Sequence, residues 1–151
     1  MSDRIFLDKQ EPAVFKALTA TAAEVRTRAD EIGLEQVLLE LVNIRASQIN
    51  GCAFCLDRHT HRALESGETT RRLAVLPGWR ETDLFAPRER AALELAEAVT
   101  LVPQQHPDNA TYEQARAVLT DDEVALVIWA AITINAFNRV SILSHHPVRA
   151  R

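Results

Sequence analysis

The chain has 151 residues, 47 % of them hydrophobic, and a formal net charge of -4. This length suits one domain with a real core. The mixed, slightly acidic charge excludes a nucleic-acid binder, which shows a basic face, and Arg149 and Arg151 are too few to change that. No run approaches the roughly 18 consecutive apolar residues of a membrane span. Residues 1–12 lack the charged-then-apolar pattern of a secretory signal. The expectation is a single cytoplasmic domain over residues 1–151 without membrane partners.

Alanine, leucine, glutamate and arginine dominate and glycine is scarce, so the predicted fold is all-α. A first helix is expected from Pro12, a good first-turn residue, to Gly33 as its stop. A second covers residues 34–50, with Leu34, Val37, Leu38, Leu41 and Ile44 at helical period, and Gly51 interrupts it. A third runs from about Cys52 to Gly67. A short helix over residues 71–76 is stopped by Pro77-Gly78, and residues 79–86 read as a loop burying Trp79, Leu84 and Phe85. Pro87 opens a helix to about Leu101, and Asn109 reads as the N-cap of another ending near Leu119.

The last helix is the clearest, because Thr120 and Glu123 form a capping-box pattern. From Val124 to Ile134 it is apolar on every side, which suits the middle of a core or a large oligomer interface. Trp79, Trp129 and Phe137 read as core or interface anchors. Asn135, Asn138 and Arg139 form a polar stripe joining helices or subunits through hydrogen bonds. His145-His146-Pro147 marks the end.

The chemistry concentrates between Glu40 and His59. Cys52 and Cys55, the only cysteines, are spaced i, i+3 at a helix start after Asn50-Gly51. That spacing allows a disulfide across the first turn. The free N–H groups there favour thiolate, the nucleophilic form. His59, at i+4 from Cys55 and i+7 from Cys52, shares their stripe and is placed to take a proton from Cys55. His61 points away from it. Glu40, set in the apolar run Leu38-Leu39-Glu40-Leu41-Val42, is expected to be partly buried, with a raised pKa suited to proton transfer. The turn at Gly51 lets it fold back toward the cysteines.

Glu40, Ser47-Gln48-Ile49-Asn50-Gly51-Cys52, Cys52-x-x-Cys55, His59 and Asn135-Ala-Phe-Asn138-Arg139 together resemble the alkylhydroperoxidase D (AhpD) core of the carboxymuconolactone decarboxylase-like superfamily. The likeness runs from about Pro12 to Ser144. It implies an all-helical trimer or hexamer that reduces organic hydroperoxides and ends as a disulfide, with Glu40 and His59 as proton relay. It also implies that Cys55 meets the peroxide and Cys52 resolves it. The helix dipole by itself favours Cys52; His59 beside Cys55 supports the family order. One departure stands out: the best-known branch has a histidine before the second cysteine, where this chain has Phe54. The decarboxylase branch usually lacks the cysteine pair, so lactone decarboxylation is not expected.

The expected function is therefore a thiol peroxidase with catalytic Cys52, Cys55, His59 and Glu40. It needs no metal, flavin, haem or nicotinamide cofactor, and its reductant is a thiol protein or lipoyl-type dithiol. Two other readings stay open. One is a disulfide reductase or electron carrier for a partner peroxidase. The other is a structural or regulatory oligomer with a redox or zinc switch, in which Cys52, Cys55 and His59 would need a fourth ligand from Glu40, His145 or His146. Glu40 could also pair with Arg45 as a plain structural ion pair.

Overall fold

The computed structural model describes residues 3–150; Met1, Ser2 and Arg151, which enter the expectations about the two chain ends, lie outside the described residues. Glycine sets the first two corners. Gly33 and Gly51 take φ of 75° and 69°, the left-handed region that side-chain-bearing residues adopt at a cost. They end α2 (Pro12–Ile32) and α3 (Gln36–Asn50), as their sequence positions predict. A short α1 (Leu7–Gln10), with no strong sequence signal, precedes them. The remaining helices are α4 (Ala53–Glu65), α5 (Thr70–Val75), α6 (Pro87–Thr100), α7 (Asn109–Arg116) and α8 (Asp121–Ser144). No strand occurs among the described residues, in agreement with the all-α expectation.

Most helix ends fall within two residues of expectation, and three features differ more in kind or extent. Residues Leu76–Glu81, with Pro77 and Gly78 inside them, form a 3₁₀ turn rather than a stop followed by loop; Trp79 and Phe85 are buried as expected and Leu84 only partly. The cap of α7 is Asp108, whose carboxylate accepts the Thr111 N–H at 3.0 Å, and Asn109 is the first helical residue. The two neighbouring residues carry equivalent acceptors, and the extended backbone at Asp108 decides between them. Helix α7 also ends at Arg116, three residues short of Leu119.

Helix α3 is the hub. Leu38, Leu39 and Val42 pack with α2, α6 and α8 around Ala29, Leu95 and Val127. Leu41 and Ile44 meet Leu76, Trp79, Phe85 and Leu93 on another side. Each such fully buried aliphatic chain contributes about 1.5–3 kcal/mol of transfer free energy. At its C-terminal end, Ala46 closes on Cys52, Cys55 and Ile134.

Helix α8 begins with the predicted capping box. Thr120 Oγ1 accepts the Glu123 N–H at 3.2 Å, and Glu123 Oε2 accepts the Thr120 N–H at 2.8 Å. By length and composition its 24 residues suffice to cross a membrane, which a count of consecutive apolar residues does not reveal. It packs instead against α2, α3 and α6. The other side stays uncovered: Trp129 is 51 % exposed and Ile132 42 %. Trp129 is therefore no core anchor within this chain, whereas Trp79 is.

Candidate active site

The Gly51 turn leaves Cys52 in extended backbone as the N-cap of α4. Its sulfur takes the place a serine hydroxyl often fills and accepts the Cys55 N–H at 3.4 Å. Cys55 lies one turn on, so both thiols sit at the positive end of α4, free and buried. An amide network fixes this corner against α8. Asn50 Nδ2 donates to Asn135 Oδ1 at 2.8 Å and Asn138 Oδ1 at 2.9 Å. Asn138 Nδ2 donates to Ser47 Oγ at 3.0 Å, and Asn135 Nδ2 donates to Thr100 Oγ1 at 3.0 Å. Asn135 and Asn138 thus join helices, as the sequence suggested, whereas Arg139 donates back to Asn135 within α8.

Helix α4 returns along α3, and this brings Glu40 to His59. Glu40 Oε2 and His59 Nδ1 are 2.6 Å apart and both residues are buried. With the carboxylate ionised, Nδ1 donates and Nε2 is left free for a second partner. Arg45, the rival partner for Glu40, instead donates to Glu97 Oε1 at 2.9 Å. His61 faces away, exposed and 3.2 Å from Glu65. Among the described residues, no three His, Cys, Asp or Glu side chains are grouped to hold a metal ion.

The two thiols are unequal. Cys55 is lowered to about 6: the Cys52 thiol hydrogen-bonds to its sulfur, against the opposing effect of burial. The polar side chains of Asn138 and Ser141 and the charge of His59 add to the lowering. Cys52 is pushed far up by that same shared hydrogen bond and by burial. Cys52 therefore holds the proton and Cys55 the negative charge, against the simple dipole expectation.

Cys55, His59 and Glu40 all line a cavity of about 340 Å³, whose apolar wall includes Phe15, Ile134 and Phe137; Cys52 is not part of its lining. Two contributors carry no local sequence signal. Ser141 reaches Cys55 from α8, and His146, beyond the end of α8, lines the cavity with its ring 5.3 Å from that of Phe54.

A model of the carboxymuconolactone decarboxylase family matches residues 12–98, the segment that carries Glu40, Cys52, Cys55 and His59. The uncharacterized protein YdfG of Bacillus subtilis is 42 % identical over 103 residues, covering 68 % of this chain and 70 % of its own length. The uncharacterized protein YnjA of Escherichia coli is 36 % identical over 70 residues, 46 % of this chain and 38 % of YnjA. Among solved structures, an Agrobacterium tumefaciens protein of unknown function, described as a candidate antioxidant defence protein AhpD, superimposes with a TM-score of 0.88 at 32 % identity. That match covers 99 % of this chain and all of the other.

Proposed function

This chain belongs to the carboxymuconolactone decarboxylase family and has its AhpD-like fold, and from that premise we propose that it is a thiol-dependent hydroperoxide reductase in which Cys55 attacks the peroxide. One observation carries the proposal. The thiol with the lowered pKa opens onto a cavity shared with a histidine–carboxylate pair, while its partner thiol is held, protonated, behind it.

The Cys55 thiolate attacks the terminal oxygen of the hydroperoxide. The O–O bond breaks, and His59, which took the Cys55 proton on Nε2 while Nδ1–H stayed on Glu40, returns that proton to the departing alkoxide and gives the alcohol. Cys55 is then a sulfenic acid. The Cys52 sulfur displaces its hydroxide, which leaves as water with the Cys52 proton, and a disulfide forms. A dithiol, on a protein or of lipoyl type, reduces that disulfide by exchange and is itself oxidised to a disulfide. Both thiols are buried, at 1 % and 3 % exposure, which suits a small peroxide better than a folded protein disulfide. The scheme belongs to a reducing compartment such as the cytoplasm, where resting thiols persist. The uncovered Trp129–Ile132 face of α8 is where we place a second copy of the chain in a homo-oligomer.

Turnover of an organic hydroperoxide by the Cys52→Ser and Cys55→Ser variants tests the scheme. Cys55→Ser is expected to abolish it. Cys52→Ser should consume one equivalent of peroxide and stall as a sulfenic acid that a dimedone probe labels. Full activity in Cys55→Ser would refute the assignment.

A further inference from the structure

We infer that Asp8, His146 and Ser141 form a second proton relay to Cys55, supplying from the two ends of the chain the imidazole that position 54 lacks. His146 Nε2 lies 3.0 Å from Asp8 Oδ1 and Nδ1 lies 3.3 Å from Ser141 Oγ. Ser141 is buried, projects from α8 into the cavity that Cys55 also lines, and interacts favourably with the Cys55 thiolate. All four residues line the one cavity. The imidazole is held between rings, stacked on Phe6 at 5.5 Å and tilted against Phe54 at 5.3 Å. Its backbone N–H donates to Ser141 O at 3.0 Å, which fixes the short turn after α8.

The proton count is that of a carboxylate–histidine–hydroxyl triad extended by one thiol. With Asp8 ionised, Nε2–H donates to it, and Nδ1 accepts the Ser141 O–H. Ser141 Oγ is then free to accept from the Cys55 thiol. When Cys55 ionises by this route, as the alternative to His59, its proton passes to Ser141 and the Ser141 proton passes to His146 Nδ1, and the same path returns a proton to the alkoxide. The imidazolium faces the Asp8 carboxylate, and the Ser141 O–H now donates to the thiolate. His146 is thus a positioning residue that acts through Ser141. The charged groups around it are Asp8 and Lys9 of α1, Asp57 of α4 and Arg149 of the terminal segment, with Glu40, His59, Arg26, Arg58 and Arg62 around the cavity.

This relay rests on Cys55 as the reacting thiol, but its test needs no peroxide. The alkylation rate of Cys55 in the reduced protein, followed by mass spectrometry against pH, reports thiolate directly. His146→Gln and Ser141→Ala are each expected to move the midpoint up by about one pH unit, roughly tenfold less thiolate at a given pH below it. His146→Phe, which keeps a ring on Phe54, should do the same, since packing alone does not accept a proton. Unchanged midpoints in all three folded variants would overturn the relay. A shifted midpoint together with an inert response to hydroperoxides would keep the relay and refute the peroxidase instead.

A different observation concerns the substrate. Arg26 of α2 and Arg58 and Arg62 of α4 line the same cavity, and none has a hydrogen bond or ion pair among the described residues. The two carboxylates there are committed, Asp8 to His146 and Glu40 to His59. Arg58 and Arg62 follow Cys55 by three and seven residues, about 5 and 10 Å along the helix. The geometry points to a hydroperoxide that also carries a carboxylate, its hydrocarbon lying along Phe15, Ile134 and Phe137 and its anion at the guanidiniums. The sulfur chemistry is unchanged and the carboxylate takes no part in it. This inference also rests on the peroxidase proposal.

The comparison is between a fatty-acid hydroperoxide and its methyl ester. Wild type should prefer the acid by roughly tenfold in kcat/KM, and Arg58→Gln/Arg62→Gln should bring that ratio near one. Equal wild-type values, or an equal loss on both substrates, would overturn the anion site. If neither is turned over, binding of the unreactive fatty acid and its ester to the reduced protein decides separately: preference for the acid, lost in the double variant, keeps the site.

Discussion

Two buried carboxylates sit on neighbouring helices in comparable apolar surroundings and are partnered in opposite ways. Glu97 of α6 accepts from Arg45 Nε at 2.9 Å, Trp79 Nε1 at 2.8 Å and Arg80 Nη1 at 2.6 Å. Burial alone would raise its pKa, but the Trp79, Arg45 and Arg80 hydrogen bonds hold it below the usual carboxylate range. Its partners are permanently charged or permanently neutral, so no proton can move. Glu40 of α3 has an imidazole as its partner and faces a cavity beside a thiolate. A guanidinium cage makes a carboxylate part of the architecture; a histidine makes it able to shuttle a proton.

The largest effect should come from uncaging the first. Glu97→Ala leaves the half-buried Arg45 without its counter-ion and is expected to destabilise by about 3 kcal/mol. The low end of the range applies because the Arg80 side chain is 48 % exposed. Peroxidase activity of the folded fraction should stay within about twofold. Because the folded Glu97 pKa is lowered, its contribution is complete above the unfolded value near ~4.3 and is lost as pH falls through the folded value. The stability difference between wild type and variant, from urea unfolding, should therefore shrink in acid.

Glu40→Gln should reverse the pattern. It is expected to lower kcat by about 100-fold, roughly 2.7 kcal/mol of barrier, with less than about 1 kcal/mol of stability lost. Equal losses in both assays from Glu40 and Glu97 variants would erase the distinction. A smaller effect tests the site's charge. Cys55 alkylation should rise through pH about 6 and level off by pH ~8, where an ordinary cysteine is still climbing. Smallest is Asn50→Ala, which removes the bridge from Asn50 to Asn135 and Asn138 and should cost about 1–2 kcal/mol in thermal unfolding.

What was legible in the sequence was local. Gly33, Gly51 and the Thr120–Glu123 box announce helix ends through backbone constraint and capping chemistry within four residues. The Glu40–His59 pair was also within reach, because one tight glycine turn forces α4 back along α3. The rest depends on long-range closure. Arg45 finds Glu97 across 52 residues, and His146 finds Asp8 across 138. Ser141 reads as one more small residue on an apolar helix until the fold sets it against Cys55. For the order of the two thiols the sequence carries opposed signals, the helix dipole favouring Cys52 and the resemblance with His59 favouring Cys55, because the order turns on which sulfur keeps the shared proton.

The central claim is that the pair acts as one peroxide-reducing unit, and a free-thiol count tests it most directly. The reduced protein is given a stoichiometric pulse of an organic hydroperoxide and its thiols are titrated within seconds. Loss of both thiols, with one Cys52–Cys55 disulfide per chain, is the predicted result. Two thiols surviving the pulse would contradict the account.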